Sequence, residues 1–318
     1  MKNVRQLPVI MGLKNKLLFI FFIVSSLGCR IDSAKQPKMP LMISPFEYNL
    51  DSPFSAVKLP RELKEISGMT LYNPDKLLAI QDEEGMIYVV SLHDGSILHS
   101  ADFGSDADYE GIAMVGKDIY ILRSDGEITV VEGSPEEENS LNLSSINTLL
   151  DSTHNTEGIC YDPFSESLLI ACKDKGEGNT EAVRHIYRME PKSKDLNEVP
   201  AFTIDIESIK SYLDKVETNE DIRAFREIAE ENPDELFIHP SDIAVHPKTG
   251  DIYISSARRI NCLLVISKEG KIKSLVRIPR QLLEQPEGIC FTPNGDLLIS
   301  SEGKPKKDRL FLFHWNKE

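Results

Sequence analysis

The chain has 318 residues, 41% hydrophobic and 27% charged, with a formal net charge of −15. The length allows one large or two ordinary domains with a sizeable core, and the composition is ordinary for a soluble protein. The acidic balance repels phosphate backbones and argues against nucleic acid as a partner.

At the N-terminus Lys2, Arg5, Lys14 and Lys16 precede the apolar run LLFIFFIVSSLG at 17–28. A basic head, an apolar stretch of about a dozen residues and a small residue at the break predict an export signal over 1–28. The run is short for a membrane span, which needs about 20 residues. Ser26-Leu27-Gly28-Cys29 resembles a bacterial lipoprotein processing box, with Ser26 where Leu is usual. Cys29 is therefore the expected lipidation site, and 29–45 reads as a polar, Pro-spaced tether. Removal of four basic residues and no acidic one takes the balance from −15 to −19. Arg30 stands where Asp would favour inner-membrane retention, which favours the outer membrane. The expected location is the bacterial cell envelope, with the membrane as a partner through the lipid alone.

From residue 46 onward one phrase recurs. EISGMTLYNPDKLLAIQDEEG (65–85), DYEGIAMVGKDIYILRSDGE (108–127), NTEGICYDPFSESLLIACKDKG (155–176), HPSDIAVHPKTGDIYISSARR (239–259) and QPEGICFTPNGDLLISSEGK (285–304) align on Met69, Ile112, Ile159, Ile243 and Ile289. These anchors are 43, 47, 84 and 46 residues apart. A period near 45 with strand-like content is the length of a propeller blade. Each copy is a hairpin: a short apolar segment, a turn rich in Pro, Asn, Asp or Gly, and a second apolar run. Third strands follow, such as MIYVVSL (86–92) and EITVVEG (127–133). ILHSADF (97–103), VPAFTIDI (199–206) and KIKSLVRI (271–278) serve as outer strands. The predicted fold is all-β, a propeller of four-stranded blades over 46–318, with five blades favoured and six the alternative.

The long 84-residue interval contains ESIKSYLDKVETNEDIRAFREIAEENPDEL at 207–236, with apolar residues at helical spacing. It predicts a short helical insertion. The last copy lacks a fourth strand, and 46–60 is the expected donor that closes the ring and removes the open edges.

Four cysteines remain beyond Cys29: Cys160, Cys172, Cys262 and Cys290. None forms a CxxC pair, so a zinc ribbon or thioredoxin-like site has no support. Cys160 and Cys290 hold a repeat position occupied elsewhere by Ala and read as small buried residues. A Cys160–Cys172 bridge across the hairpin is open to an oxidising compartment, although the register is about two residues off.

The first strand of a blade lies nearest the axis, and the second returns to the same face. Starts of first strands and ends of second strands should surround one mouth. Two residues before the anchors stand Ser67, Glu110, Glu157, Ser241 and Glu287; four before stand Glu65, Asp108, Asn155, His239 and Gln285. Carboxylates aimed into a narrow mouth repel unless protonated or bridged by a cation. Calcium, with six to eight oxygen ligands, is the expected bridge. Glu110, Glu157 and Glu287 are its first candidates, with Asp108, Asn155 and Gln285 as further oxygen donors. Glutamate here serves equally well to brace the backbone amides of the next blade. Asp82, His239, Arg258 and Glu302 are candidate ligand contacts at the same mouth. His154, Lys173 and Arg259 lie beside it. Asp106–Gly111 begins like an EF-hand loop, but position twelve is Lys117, which excludes that reading.

No G-x-S-x-G, H-E-x-x-H, Walker or G-x-G-x-x-G motif occurs, so no catalytic residue is assigned. The phrases EISGMTLYNP, AIQDEEG and DYEGIA resemble the SdiA-regulated (YjiK-like) family of bacterial envelope β-propellers over most of 46–318. That resemblance implies an envelope propeller with no settled catalytic residue, and calcium at the channel mouth would suit it. Three readings follow. A lipid-anchored binding or scaffold module holding calcium, a small ligand or a protein loop is favoured. A calcium-dependent hydrolase of lactonase, esterase or phytase-like type is the alternative, and a structural interaction protein is the third.

Overall fold

The computed structural model describes residues 46–137, 140–174, 181–302 and 308–316. The chain first lays down β1 (Ser55–Lys58). Blade 1 follows as β2 (Ile66–Asn73), β3 (Lys76–Gln81), β4 (Met86–Ser91) and β5 (Ile97–Asp102). Blade 2 is β6 (Tyr109–Val115), β7 (Asp118–Arg123), β8 (Glu127–Glu132) and β9 (Asn142–Asn147). Blade 3 is β10 (Thr156–Asp162), β11 (Ser167–Cys172), β12 (Val183–Met189) and β13 (Phe202–Asp205). Blade 4 is β14 (Pro240–Val245), β15 (Ile252–Ser256), β16 (Cys262–Ile266) and β17 (Ile272–Arg277). Blade 5 takes β18 (Gln285–Phe291), β19 (Leu297–Glu302) and β20 (Arg309–Phe313), and β1 completes it as the outermost strand.

All five sheets are four-stranded and antiparallel; four are meanders, and the fifth joins β18 to β20 with β1. Their first strands touch in chain order, and β18 returns to touch β2, so the sheets form a closed five-bladed propeller. The ring closes where expected: Ser55 to Lys58 pair with Leu312 to Arg309. Closure covers what would otherwise be the exposed edge of β20. The segment before β1 is also packed in. Tyr48 and Leu50 are buried with Tyr253, Phe291 and Phe313 between blades 4 and 5, and the Tyr48 hydroxyl donates to the Gly295 carbonyl at 2.6 Å.

The apolar core is divided into layers between neighbouring blades, because each sheet buries both faces against its neighbours. One layer joins Leu78, Ile80 and Val89 of blade 1 to Ile112, Ile119 and Ile121 of blade 2. The largest lies between blades 3 and 4 and also takes the insertion. There α1 (Ile206–Lys215) is capped by Asp205, whose side chain accepts from the Ser208 amide, and α2 (Glu220–Glu231) by Asn219, which accepts from Ile222. Ile209, Leu213, Phe225 and Phe237 fill the seam beside Ile204, Leu264 and Leu275. The insertion is thus a helical wedge over the outer strands of blades 3 and 4.

The cysteines of the ring are free thiols. Cys160 pairs across its hairpin with Leu169, and Cys172 with Thr156, so a bridge is excluded by register. One strand had no sequence signal: β9 reads NLSSIN, and only Ile146 of it is buried. Cys29 and the expected signal and tether lie outside the described residues.

Candidate functional site

The axial ends of the first strands carry the site, and each has the same backbone irregularity. Thr156 faces Cys172 and Gly158 faces Ala171, which leaves Glu157 without a cross-strand partner. The same slip strands Glu110 between Tyr109 and Gly111, Ser67 between Ile66 and Gly68, and Ser241 between Pro240 and Asp242. In blade 5 it lies between Pro286 and Ile289. A bulge bends its strand and re-aims the extra side chain. The residues two before the anchors are therefore the bulge residues, and three of them are glutamates.

Crowding at the axis explains the adjoining glycines. A Cβ on Gly158 would lie 2.8 Å from the Asp242 Cα, and one on Gly111 would lie 2.9 Å from the Ile159 nitrogen. Asp242, which replaces glycine in blade 4, is buried. Its Oδ1 accepts from the Ile243 amide at 2.8 Å and its Oδ2 from the Ile289 amide at 2.7 Å. Ser241 donates to the Pro286 carbonyl at 2.8 Å. Bracing between blades 4 and 5 is thus the work of Asp242 and Ser241.

Among the described residues the glutamates make no such brace. Glu110, Glu157 and Glu287 act on one another electrostatically, and among the described residues the cation all three share is Lys173, just past β11. Its Nζ lies 2.6 Å from Glu157 Oε1. Burial raises all three carboxyls. For Glu110 the charges of Glu157 and Asp108 add to burial, while for Glu157 the ammonium of Lys173 opposes it. Glu287 is pushed up to about 8 by burial and then by Glu157. Burial pulls the Lys173 ammonium down, but Glu157, Glu110 and Glu287 together carry it above its ordinary value. Among the described residues the mouth holds more carboxyl groups than cations to neutralise them.

Calcium is the neutralising ion that the sequence leads one to expect. Among the described residues no group of three or more His, Cys, Asp or Glu side chains is spaced to hold a metal. Glu157 is instead engaged by an ammonium. In this arrangement the residues do not fit a calcium cage, which needs six or more oxygens at 2.3–2.6 Å.

Of the further oxygen donors, Asp108 acts on Glu110 and Glu157. Asn155 has a left-handed backbone, φ 47°, and its carbonyl accepts from the Lys173 amide at 2.9 Å. Gln285 donates to Glu302 at 2.7 Å, which joins Glu302 to the Glu287 side of the mouth. Asp82 lies on the blade 1 side, raised to about 6 by burial and by Glu65, Glu83 and Asp108. The far end of the axis differs in chemistry. A cavity of about 220 Å³ opens there, lined by apolar residues such as Met69, Leu71, Ile243 and Phe291.

A family model described as SdiA-regulated matches residues 46–313, the whole ring. The chain belongs to the SdiA-regulated family. No curated protein matches the sequence significantly. Among solved structures, this SdiA-regulated propeller is similar to the glutaminyl cyclase of Myxococcus xanthus, at 14% identity and a TM-score of 0.53. That match covers 83% of this chain and 95% of the other. The PQQ-bound aldose sugar dehydrogenase of Streptomyces coelicolor matches at 11% identity and a TM-score of 0.49, covering 83% and 97% of the two chains. At such identities the first likeness shows the fold alone, and the second carries no argument. Family and fold together fit a propeller enzyme or a binding module.

On the blade 3–4 side the propeller holds a cationic group. His239, by sequence a loop histidine beside the mouth, is 1% exposed, and Arg184 of β12, also 1% exposed, contacts it at 3.1 Å. Burial and the charges of Arg184, Arg258 and Lys173 hold His239 down at about 3. Arg258 is exposed at the end of β15, and Arg259 pairs with Glu235 at 2.5 Å. Arg184 sits on a third strand, outside the first and second strands from which the mouth was expected to draw its residues. The alternation of VRHIYRM, which puts Arg184 on the buried face of Ile186, was its available signal.

Proposed function

We propose that the protein is an envelope-anchored binding module, tethered through a lipid on Cys29, whose carboxyl-lined mouth binds the ammonium end of a small cationic ligand. The carrying observation is the charge imbalance among the described residues: Glu110, Glu157 and Glu287 act on one another and share one ammonium, Lys173. A second cation in this crowded, partly desolvated space relieves carboxyl repulsion and lets protons leave. An alkylammonium supplies that charge with three directional donors and without a six-oxygen cage.

A proton-transfer enzyme is the second reading, supported by Glu287 near 8 and Asp82 near 6, both close to neutral pH. The calcium-dependent hydrolase reading uses the same carboxyls but has no metal cage behind it among the described residues.

The deciding experiment is calorimetric titration of the protein with n-propylamine and with calcium at pH 8, beside Glu110→Gln. Saturable amine binding that weakens about tenfold or more in the variant is expected. Calcium binding without amine binding would return the site to the metal reading. Neither ligand binding would overturn the proposal.

A further inference from the structure

Among the described residues the cationic group beside the mouth has donors without hydrogen-bond partners and arginines outside any ion pair. The Arg184 guanidinium is fully buried. Its Nη1 donates to the carbonyls of Val183 at 2.7 Å and Glu181 at 3.2 Å, and its Nη2 faces His239 Nδ1 at 3.1 Å. Guanidinium nitrogens only donate, so Nδ1 is the acceptor and the proton of the neutral imidazole sits on Nε2. That Nε2–H is buried and, among the described residues, has no hydrogen-bond partner, and neither does Arg184 Nε. The His239 ring is held from its backbone side as well, since its amide donates to Ser256 Oγ at 2.9 Å.

The charges tell the same story. Among the described residues Lys173 is paired with Glu157 and Arg259 with Glu235, whereas neither Arg184 nor Arg258 forms an ion pair. A buried guanidinium outside any ion pair, supported by Asp174, Glu181 and Glu235 only at longer range, and an orphaned buried donor are both costly. Such a pair in one place fits a site completed by an oxyanion, which accepts from several donors at once. Lys173 links this place to the carboxyl cluster: its charge acts on His239 as well as on Glu110, Glu157 and Glu287.

We propose that His239, Arg184 and Arg258 form an anion-binding pole of the same mouth. The ligand is then dipolar: an amino-carboxylate, its ammonium held by the glutamates and its carboxylate by His239 Nε2–H and the arginines. This rests on the ammonium reading of the mouth for one pole and on independent residues for the other. Blades 2, 3 and 5 supply the carboxyls, while blades 3 and 4 supply the cations. A molecule spanning the mouth therefore touches both and is oriented by them.

The test uses the ω-amino acids glycine, β-alanine, 4-aminobutyrate and 6-aminohexanoate, with n-propylamine and propionate as single-pole controls. Affinity is read by titration calorimetry on the wild type, Arg258→Ala and His239→Leu. Arg258 is exposed, so its variant keeps the fold; melting curves check the buried His239 change. The expected result is one chain length that binds at least about tenfold more tightly than propylamine. Both variants should lose that gain without weakening propylamine binding, which the loss of the Arg258 charge can only favour. An ω-amino acid series no better than propylamine, or unchanged affinity in Arg258→Ala and a folded His239→Leu, overturns the anion pole and leaves the ammonium reading standing. Propionate binding that both variants abolish, without amine binding, supports the anion pole and removes the ammonium reading. Silence from every ligand removes both.

Discussion

Replacing Glu287 by Gln should flatten the pH dependence of folding stability, and the structure sets the size of the effect. Burial, with Glu157 beside it, moves this carboxyl from an ordinary 4.5 to about 8. As pH rises through 4.5 the unfolded chain releases the proton, whereas the folded protein keeps it until about pH 8. The folded state therefore binds more protons across this window, and stability must fall as pH rises, by about 1.4 kcal/mol per unit. Between pH 5 and 7.5 the ceiling is about 3 kcal/mol. Glu287 is partly exposed, so solvent screening reduces this to about 1–2 kcal/mol. For a domain of this size that is a difference of about 3–6 °C in Tm. The glutamine side chain has nearly the same shape and no proton to lose. Thermal melts of both proteins every half unit from pH 5 to 8 make the comparison. The wild-type Tm should fall more steeply, by about 3–6 °C over the range, and Glu287→Gln should be the more stable at pH 8. Parallel curves would refute the raised carboxyl and the crowding behind it.

The pairing of Lys173 with Glu157 makes a second prediction. Lys173→Met leaves a nearly buried carboxylate without its counter-charge and should cost about 3 kcal/mol at pH 8. Near pH 5.5, where Glu157 holds its proton, the loss should shrink, and denaturant unfolding with an equal loss at both pH values would contradict the pairing. Ring closure makes a third. Deleting residues 46–58 removes β1 from β20 and the buried Tyr48 and Leu50 from their layer. About 5 kcal/mol, or about 10 °C in Tm, should be lost. A synthetic 46–60 peptide should restore part of it, and an unchanged melt would rule out this closure.

Much of the ring is written locally. Hairpin alternation, turn residues and a period near 45 recur in every copy, because each blade solves the same packing problem with nearest-neighbour contacts. That locality made the five blades, the closing role of 46–60 and the helical wedge at 207–236 legible before any contact was known. It also marked Glu110, Glu157 and Glu287 as residues sharing one mouth. The strand β9 escaped because an outer strand with a wet face needs little apolar pattern; only Ile146 of it is buried. Pairings across blades were not legible at all. The register slips that turn the glutamates inward depend on how two strands meet, and no single strand's sequence states that. The ammonium of Lys173 meets Glu157 across a hairpin, sixteen residues along the chain. Asp242, which looked like a lapse from the glycine pattern, bridges the amide of Ile243 to that of Ile289, 47 residues beyond it on the next blade. Arg184 and His239 come together over 55 residues and the whole insertion. A buried charge or orphaned donor is defined by what surrounds it, and those surroundings exist only once the ring has closed.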